Sequence, residues 1–138
     1  MKKAGYNVYA LKSSLAPGNV LLVNNKVGLA STEVPPGELK AIGECLDITV
    51  HQHALSGMHT LGAMNVLTDK GLFAYNDVTD VEFKFMEKLF DVRGTNGTTN
   101  NGVPFNAFGV VANSKGALLG DLTSGFETQR VYEALNGE

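Results

Sequence analysis

Three segments of the chain share one alternation of apolar and polar positions. In VLLVNNKVGL, MNVLTDKGLF and GVVANSKGAL a β-rich run meets a polar turn at a lysine, and a small or β-branched residue follows. The lysines Lys26, Lys70 and Lys115 stand 44 and 45 residues apart. Twenty-one positions beyond each lie Asp47, Asp91 and Asn136, preceded by Leu46, Phe90 and Leu135. Eight positions before each lie Gly18, Gly62 and Ala107. Three landmarks keeping one register define an internal repeat.

Each unit reads as strand, strand, helix, strand. The first strands are predicted over Asn19–Val23, Ala63–Leu67 and Phe108–Ala112, and the partner runs Gly28–Ala30 and Leu72–Ala74 complete hairpins across the lysine turns. Helices follow. Pro35-Pro36-Gly37 precedes ELKAIGECL, with Leu39, Ile42 and Leu46 at helical spacing. Thr79 or Asp80 caps VEFKFMEKLF, whose stripe is Val81, Phe85, Met86 and Leu89; Thr123 or Ser124 starts a third helix ending in Val131, Ala134 and Leu135. Outgoing strands are expected from Asp47 to Leu55 and from Asp91 to about Thr95. The third unit has no such strand, yet residues 6–11 align with Val50–Leu55 when the first unit is shifted back by 44. An N-terminal strand at 5–12 is therefore expected to pair with the third unit, in its own chain or in a neighbour, and so remove exposed edges.

Composition narrows this further. The 138 residues, 43% of them apolar, suit one domain, here units of about 13–56, 57–101 and 102–138. A net charge of -3 offers no basic surplus for direct nucleic-acid binding. Cys45 stands alone, which excludes an intramolecular disulfide and a cysteine-based zinc site. The opening MKKAGYNVYALKSS lacks an apolar signal-peptide region, and no run approaches membrane-spanning length, so a cytoplasmic protein is expected.

The stretch GTTNNGVPFNAFGVVANSKGALLGDLTSGFETQRVYEAL, together with PGNVLLVNN and TLGAMNVLTDKGLF, resembles the archaeal and eukaryotic translation initiation factor 6 family. The resemblance covers about residues 13–136, with ANSKGALLGD its most specific part. It implies a pentein fold, an α/β propeller of ββαβ units, five in the family and three here, matching the family's third to fifth. It also implies a non-catalytic protein that binds the large ribosomal subunit and blocks subunit association. Two departures are local: Phe126-Glu127-Thr128 replaces the usual Pro-Glu-Leu, and Ala107 replaces the last glycine.

By the same resemblance, Asn19, Met64 and Phe108 lie near the starts of successive units, where the family meets the ribosome, and Asn96 sits in a Gly-Thr-x-Asn-x-Gly-like loop. Asn19 equally suits turn chemistry, and Met64 and Phe108 equally suit a core. No catalytic residue, cofactor or metal is expected. Cys45 has no partner base at a spacing tied to it, and the P-loop pattern is absent around Lys115. His51, His53 and His59 mark the junction between the first two units, where the sister units carry no histidine or carboxylate at the matching positions. A self-assembling fragment with no ribosome binding, and with homo-oligomers built through its strand edges, is the alternative reading.

Overall fold

A computed structural model describes residues 4–136. It is a mixed α/β structure of small sheets and helices. The order is α1 (Pro17–Val20), β1 (Leu21–Val23), β2 (Val27–Ala30), α2 (Pro36–Leu46), β3 (Thr49–Gln52), α3 (Leu61–Met64), β4 (Val66–Leu67), β5 (Gly71–Tyr75), α4 (Asp80–Phe90), β6 (Arg93–Gly97), α5 (Asn106–Gly109), β7 (Val110–Asn113), β8 (Gly116–Leu119) and α6 (Gly125–Leu135). In the first two sheets the middle strand pairs antiparallel with its hairpin partner and parallel with the strand beyond the helix, β1-β2-β3 and β4-β5-β6. The third sheet is the hairpin β7-β8 alone.

The long helices form where the sequence places their caps. Thr79 and Ser124 each accept the N–H three residues on and receive a glutamate in return, which satisfies donors that no helix can satisfy internally. Pro36 starts α2, and Asp47 and Asp91 end α2 and α4 in the left-handed region. These aspartates are therefore helix ends, and β3 and β6 begin two residues later than expected.

Alternation along the strands builds the core in layers. Val20, Ala30 and Ile42 pack together on the α2 side of the first sheet. Its other side, Leu22, Val27 and Leu29, meets Met86 and Phe90 of α4, which also cover Leu72 and Ala74 of the second sheet. Val66 and Phe73, on the opposite face of that sheet, meet Val131 and Ala134 of α6 together with Val110 of the third. Both faces of the first two sheets are thus buried, which explains their nearly continuous apolar runs.

Four expectations are corrected. The first strands of the units each open with one helical turn, α1, α3 and α5, because α1 and α3 approach so closely that a Cβ on Gly62 would lie 2.3 and 2.4 Å from the carbonyl oxygens of Gly18 and Leu21. Four residues of apolar sequence cannot separate such a turn from a strand. The outgoing strands are shorter or shifted, Thr49–Gln52 and Arg93–Gly97. Val81 leaves the α4 stripe and is exposed, while Phe90 joins it. Within their own chain residues 6–11 form no ladder with the third sheet and lie instead on the first, Tyr9 and Leu11 packing with the cluster that holds Ile42. The end of the expected third unit, Gly137 and Glu138, falls outside the described residues.

Candidate recognition surface

One turn is built three times at the same end of the sheets. Asn24 Oδ1 accepts the N–H groups of Lys26 and Val27 at 2.9 and 3.0 Å. Thr68 Oγ1 accepts those of Lys70 and Gly71, and Asn113 Oδ1 those of Lys115 and Gly116. The short polar residue replaces the missing ladder partner, so the lysine recurs for its place in the turn. Two of these turns are joined, since the backbone and side-chain amides of Asn25 donate to the carboxylate of Asp69 at 2.9 and 2.6 Å. The one-turn helices stand in a row, α1 against α3 and α3 against α5.

Where each outgoing segment meets the next long helix, a glutamate closes the joint. Lys12 N–H donates to Glu38, Ser56 N–H to Glu82 and Asn101 N–H to Glu127, each across 26 residues. Glu127 is the most fully held, with Gly102 N–H at 2.8 Å, Ser124 N–H at 2.8 Å and Thr98 Oγ1–H at 2.7 Å. Burial pushes its carboxyl up, but these donors outweigh burial and bring it down to about 2. Glu82 is lowered by the donors of Ser56 and Thr79 against its burial, and Glu38 chiefly by the Lys12 N–H. The sequence reading missed these residues. The signal was present, because Glu38, Glu82 and Glu127 each follow a landmark lysine by twelve positions.

The singled-out side chains fare differently. Phe108 on α5 is 71% exposed and stacks on Phe105 with ring centroids 5.7 Å apart. Asn19 on α1 is half-buried, its backbone N–H bonded to Ala16. Met64 on α3 is buried in the core with Leu61 and Leu72. Asn96 lies apart from the row on β6, donating to Asn76 O at 3.0 Å and accepting Arg130 through its carbonyl and its Oδ1. Asn19, Met64 and Phe108 therefore share one row of turns, and Asn96 serves a joint between β6 and α6.

The histidines do not converge into a ligand set. All three are exposed, and the ring of His53 lies tilted against that of Phe85, with centroids 4.4 Å apart. Among the described residues no group of three histidine, cysteine or acidic side chains is placed to hold a metal ion. Cys45 is a half-buried free thiol on α2, in a shallow groove with Tyr6, Tyr9 and Ala41. Among the described residues no helix is long and apolar enough to cross a membrane.

These features define a small layered α/β protein whose row of one-turn helices carries an exposed, stacked aromatic pair at α5. The chain belongs to the eIF-6 family, whose profile matches residues 1–134. It is similar to translation initiation factor 6 of Staphylothermus marinus, 35% identical over 138 residues, covering 99% of this chain and 61% of that protein. The factor of Pyrococcus abyssi is 33% identical over 96% of this chain and 62% of its own length. That of Saccharolobus islandicus is 40% identical over 87% and 54%. The chain thus spans about three-fifths of the length of these relatives.

Proposed function

We propose that the chain is a non-catalytic binding protein of translation that docks on the large ribosomal subunit and obstructs subunit joining. It does so as one domain of three pentein-type ββαβ units, acting in the cytoplasm. The observation that carries this reading is family membership across residues 1–134, from relatives that are named translation initiation factors. The exposed Phe105–Phe108 pair beside Asn19's row supplies an apolar anchor of the kind that dominates protein–protein contacts. A net charge of -3 favours ribosomal protein over bare RNA as the surface met. Asn19 would contribute polar contacts at the rim, with Met64 supporting the row from beneath and Asn96 acting through its joint.

Cosedimentation with archaeal large subunits at low salt tests this. The chain should pellet with large subunits, and Phe108→Ala should weaken the complex at least about tenfold. A chain that stays in the supernatant, while folded by circular dichroism, would overturn the proposal.

A further inference from the structure

The joint between β6 and α6 carries a reactive pair of residues at its tip. Thr99 and Val103 exchange backbone bonds, Thr99 N–H to Val103 O at 3.1 Å and Val103 N–H to Thr99 O at 2.7 Å. Asn100, Asn101 and Gly102 close the turn between them with φ of 48°, 61° and 97°. Asn101 and Gly102 are exposed, and among the described residues the side-chain amide of Asn101 has no bonding partner. The sister tip has Ser56 and Gly57 at these places, 45 positions earlier, with Gly57 at φ 69° and Ser56 N–H on Glu82. Ser56 and Gly57 are exposed too, in the joint where α4 packs between the first two sheets. Exposure thus belongs to the tip itself, and what sets the second tip apart is an asparagine before the glycine.

An asparagine followed by glycine carries both partners of a reaction with itself. The Gly102 nitrogen, relieved of its proton, attacks Cγ of Asn101. The new C–N bond closes a five-membered imide, the Cγ–Nδ2 bond breaks, and ammonia leaves with the proton. Water then opens the imide at either carbonyl to give aspartate or isoaspartate, so the balance is water in and ammonia out. A Cβ on the second residue would crowd the attack, and glycine has none.

Asn96-Gly97 offers the same pair under restraint. Both residues lie in β6, paired with β5. The Asn96 amide donates to Asn76 O at 3.0 Å and its Oδ1 accepts from Arg130 at 3.1 Å, so turning the side chain onto Gly97 breaks both bonds. At the Asn101 tip the restraint comes from Glu127, which accepts the N–H groups of Gly102 at 2.8 Å and of Asn101 at 3.0 Å. An N–H given to a carboxylate loses its proton less readily, because the anion left behind faces a like charge. With its carboxyl at about 2, Glu127 is too weak a base to take the proton itself. Its bonds therefore hold the reaction back.

We propose that Asn101-Gly102 is a self-modification site of this chain, where Asn101 becomes aspartate and isoaspartate at a rate set by release of the tip from Glu127. Isoaspartate inserts one carbon into the main chain between the two N–H groups that Glu127 accepts, so the converted tip no longer fits the carboxylate and the joint loosens. The site rests on the geometry of the tip and stands independently of ribosome binding.

The folded whole chain, Glu127→Gln and Asn101→Ser are aged in mildly alkaline buffer and followed by peptide mapping that separates amide, aspartate and isoaspartate. In the unaltered chain Asn101 should convert at least about tenfold faster than Asn96, whose reaction requires the strand to open. Glu127→Gln should convert Asn101 at least about threefold faster than the unaltered chain does, with Asn96 unchanged. Aged unaltered protein should melt lower than fresh protein, whereas aged Asn101→Ser, bearing the residue of the sister tip, should melt as it does when fresh. Equal conversion at Asn96 and Asn101 would overturn the site, as would an intact Asn101 over a period in which the urea-unfolded chain converts fully. Acceleration of both asparagines alike by Glu127→Gln, which marks a general loosening of the fold, or acceleration of neither, would overturn the role of Glu127. Equal loss of stability in the aged unaltered chain and in aged Asn101→Ser would remove the effect on the joint.

Discussion

Two glycines at the same place in two sheets face opposite surroundings. Gly71 opens β5 beneath α6, and a Cβ there would sit 1.8 Å from the carbonyl oxygen of Ala134. Gly116 opens β8, and a Cβ there meets nothing within 4 Å. The local sequences are alike, a polar pair, a lysine, a glycine and then apolar residues, so the difference lies in what the next layer brings. A helix presses on this face of the second sheet, and none presses on the matching face of the third. Burial of this face is decided by the helix packed against it and not by the local sequence of the hairpin.

The largest break in that comparison should come from Phe73→Ala against Leu118→Ala. Removing a fully buried ring at a closed junction costs about 3–5 kcal/mol, whereas the matching change on the bare sheet alters the stability of dilute protein by about 0.5 kcal/mol or less. Denaturant melts of both variants at one low protein concentration measure it. Next comes Gly71→Ala, which must push α6 off the sheet and lose about 3 kcal/mol or more. Gly116→Ala should be neutral or stabilising by up to about 1 kcal/mol, through a less flexible unfolded chain. Equal effects at the two glycines would deny that α6 closes the second junction.

The glutamate joints sharpen the same contrast through pH. The carboxyl of Glu127 lies at about 2 in the folded chain against an ordinary 4.5. Its bonds to Ser124, Gly102, Asn101 and Thr98 are complete above about pH 4.5 and are lost as the pH falls toward 2. Stability should therefore drop across that window, and Glu127→Gln should flatten the acid limb while costing about 1–3 kcal/mol at neutral pH. Thermal melts from pH 2 to 7 read both. The smallest effect belongs to the exposed link between turns, where Asp69→Ala should cost less than about 1 kcal/mol.

The long helices were legible because their ends are chemical: Pro35-Pro36-Gly37, Thr79 or Asp80, and Thr123 or Ser124 mark the first turns, and the structure places Thr79 and Ser124 at the caps of the last two. The lysine turns were legible for a similar reason, since Asn24, Thr68 and Asn113 bond locally to the backbone that follows. The one-turn helices were not, because their reason lies across a joint, in the close approach of Gly62 to Gly18. Nor were the glutamate joints, in which the acid and its donor stand 26 residues apart and only the recurring register connects them. Residues 6–11 illustrate both sides. Their kinship with the outgoing strands was readable from the shift of 44, but their seat on α2 depended on Glu38, which no local pattern marks as a partner for Lys12. Among the proposed contact residues, Phe108 and Met64 look equivalent in sequence, and only packing separates the exposed ring from the buried thioether.

The proposed obstruction of subunit joining is read out by a gradient assay. Purified archaeal large and small subunits are mixed under associating conditions with increasing amounts of the chain and resolved on sucrose gradients. Joined ribosomes should decline as the chain is added, with the chain comigrating with free large subunits. An unchanged fraction of joined ribosomes, with the chain remaining at the top of the gradient, would contradict it.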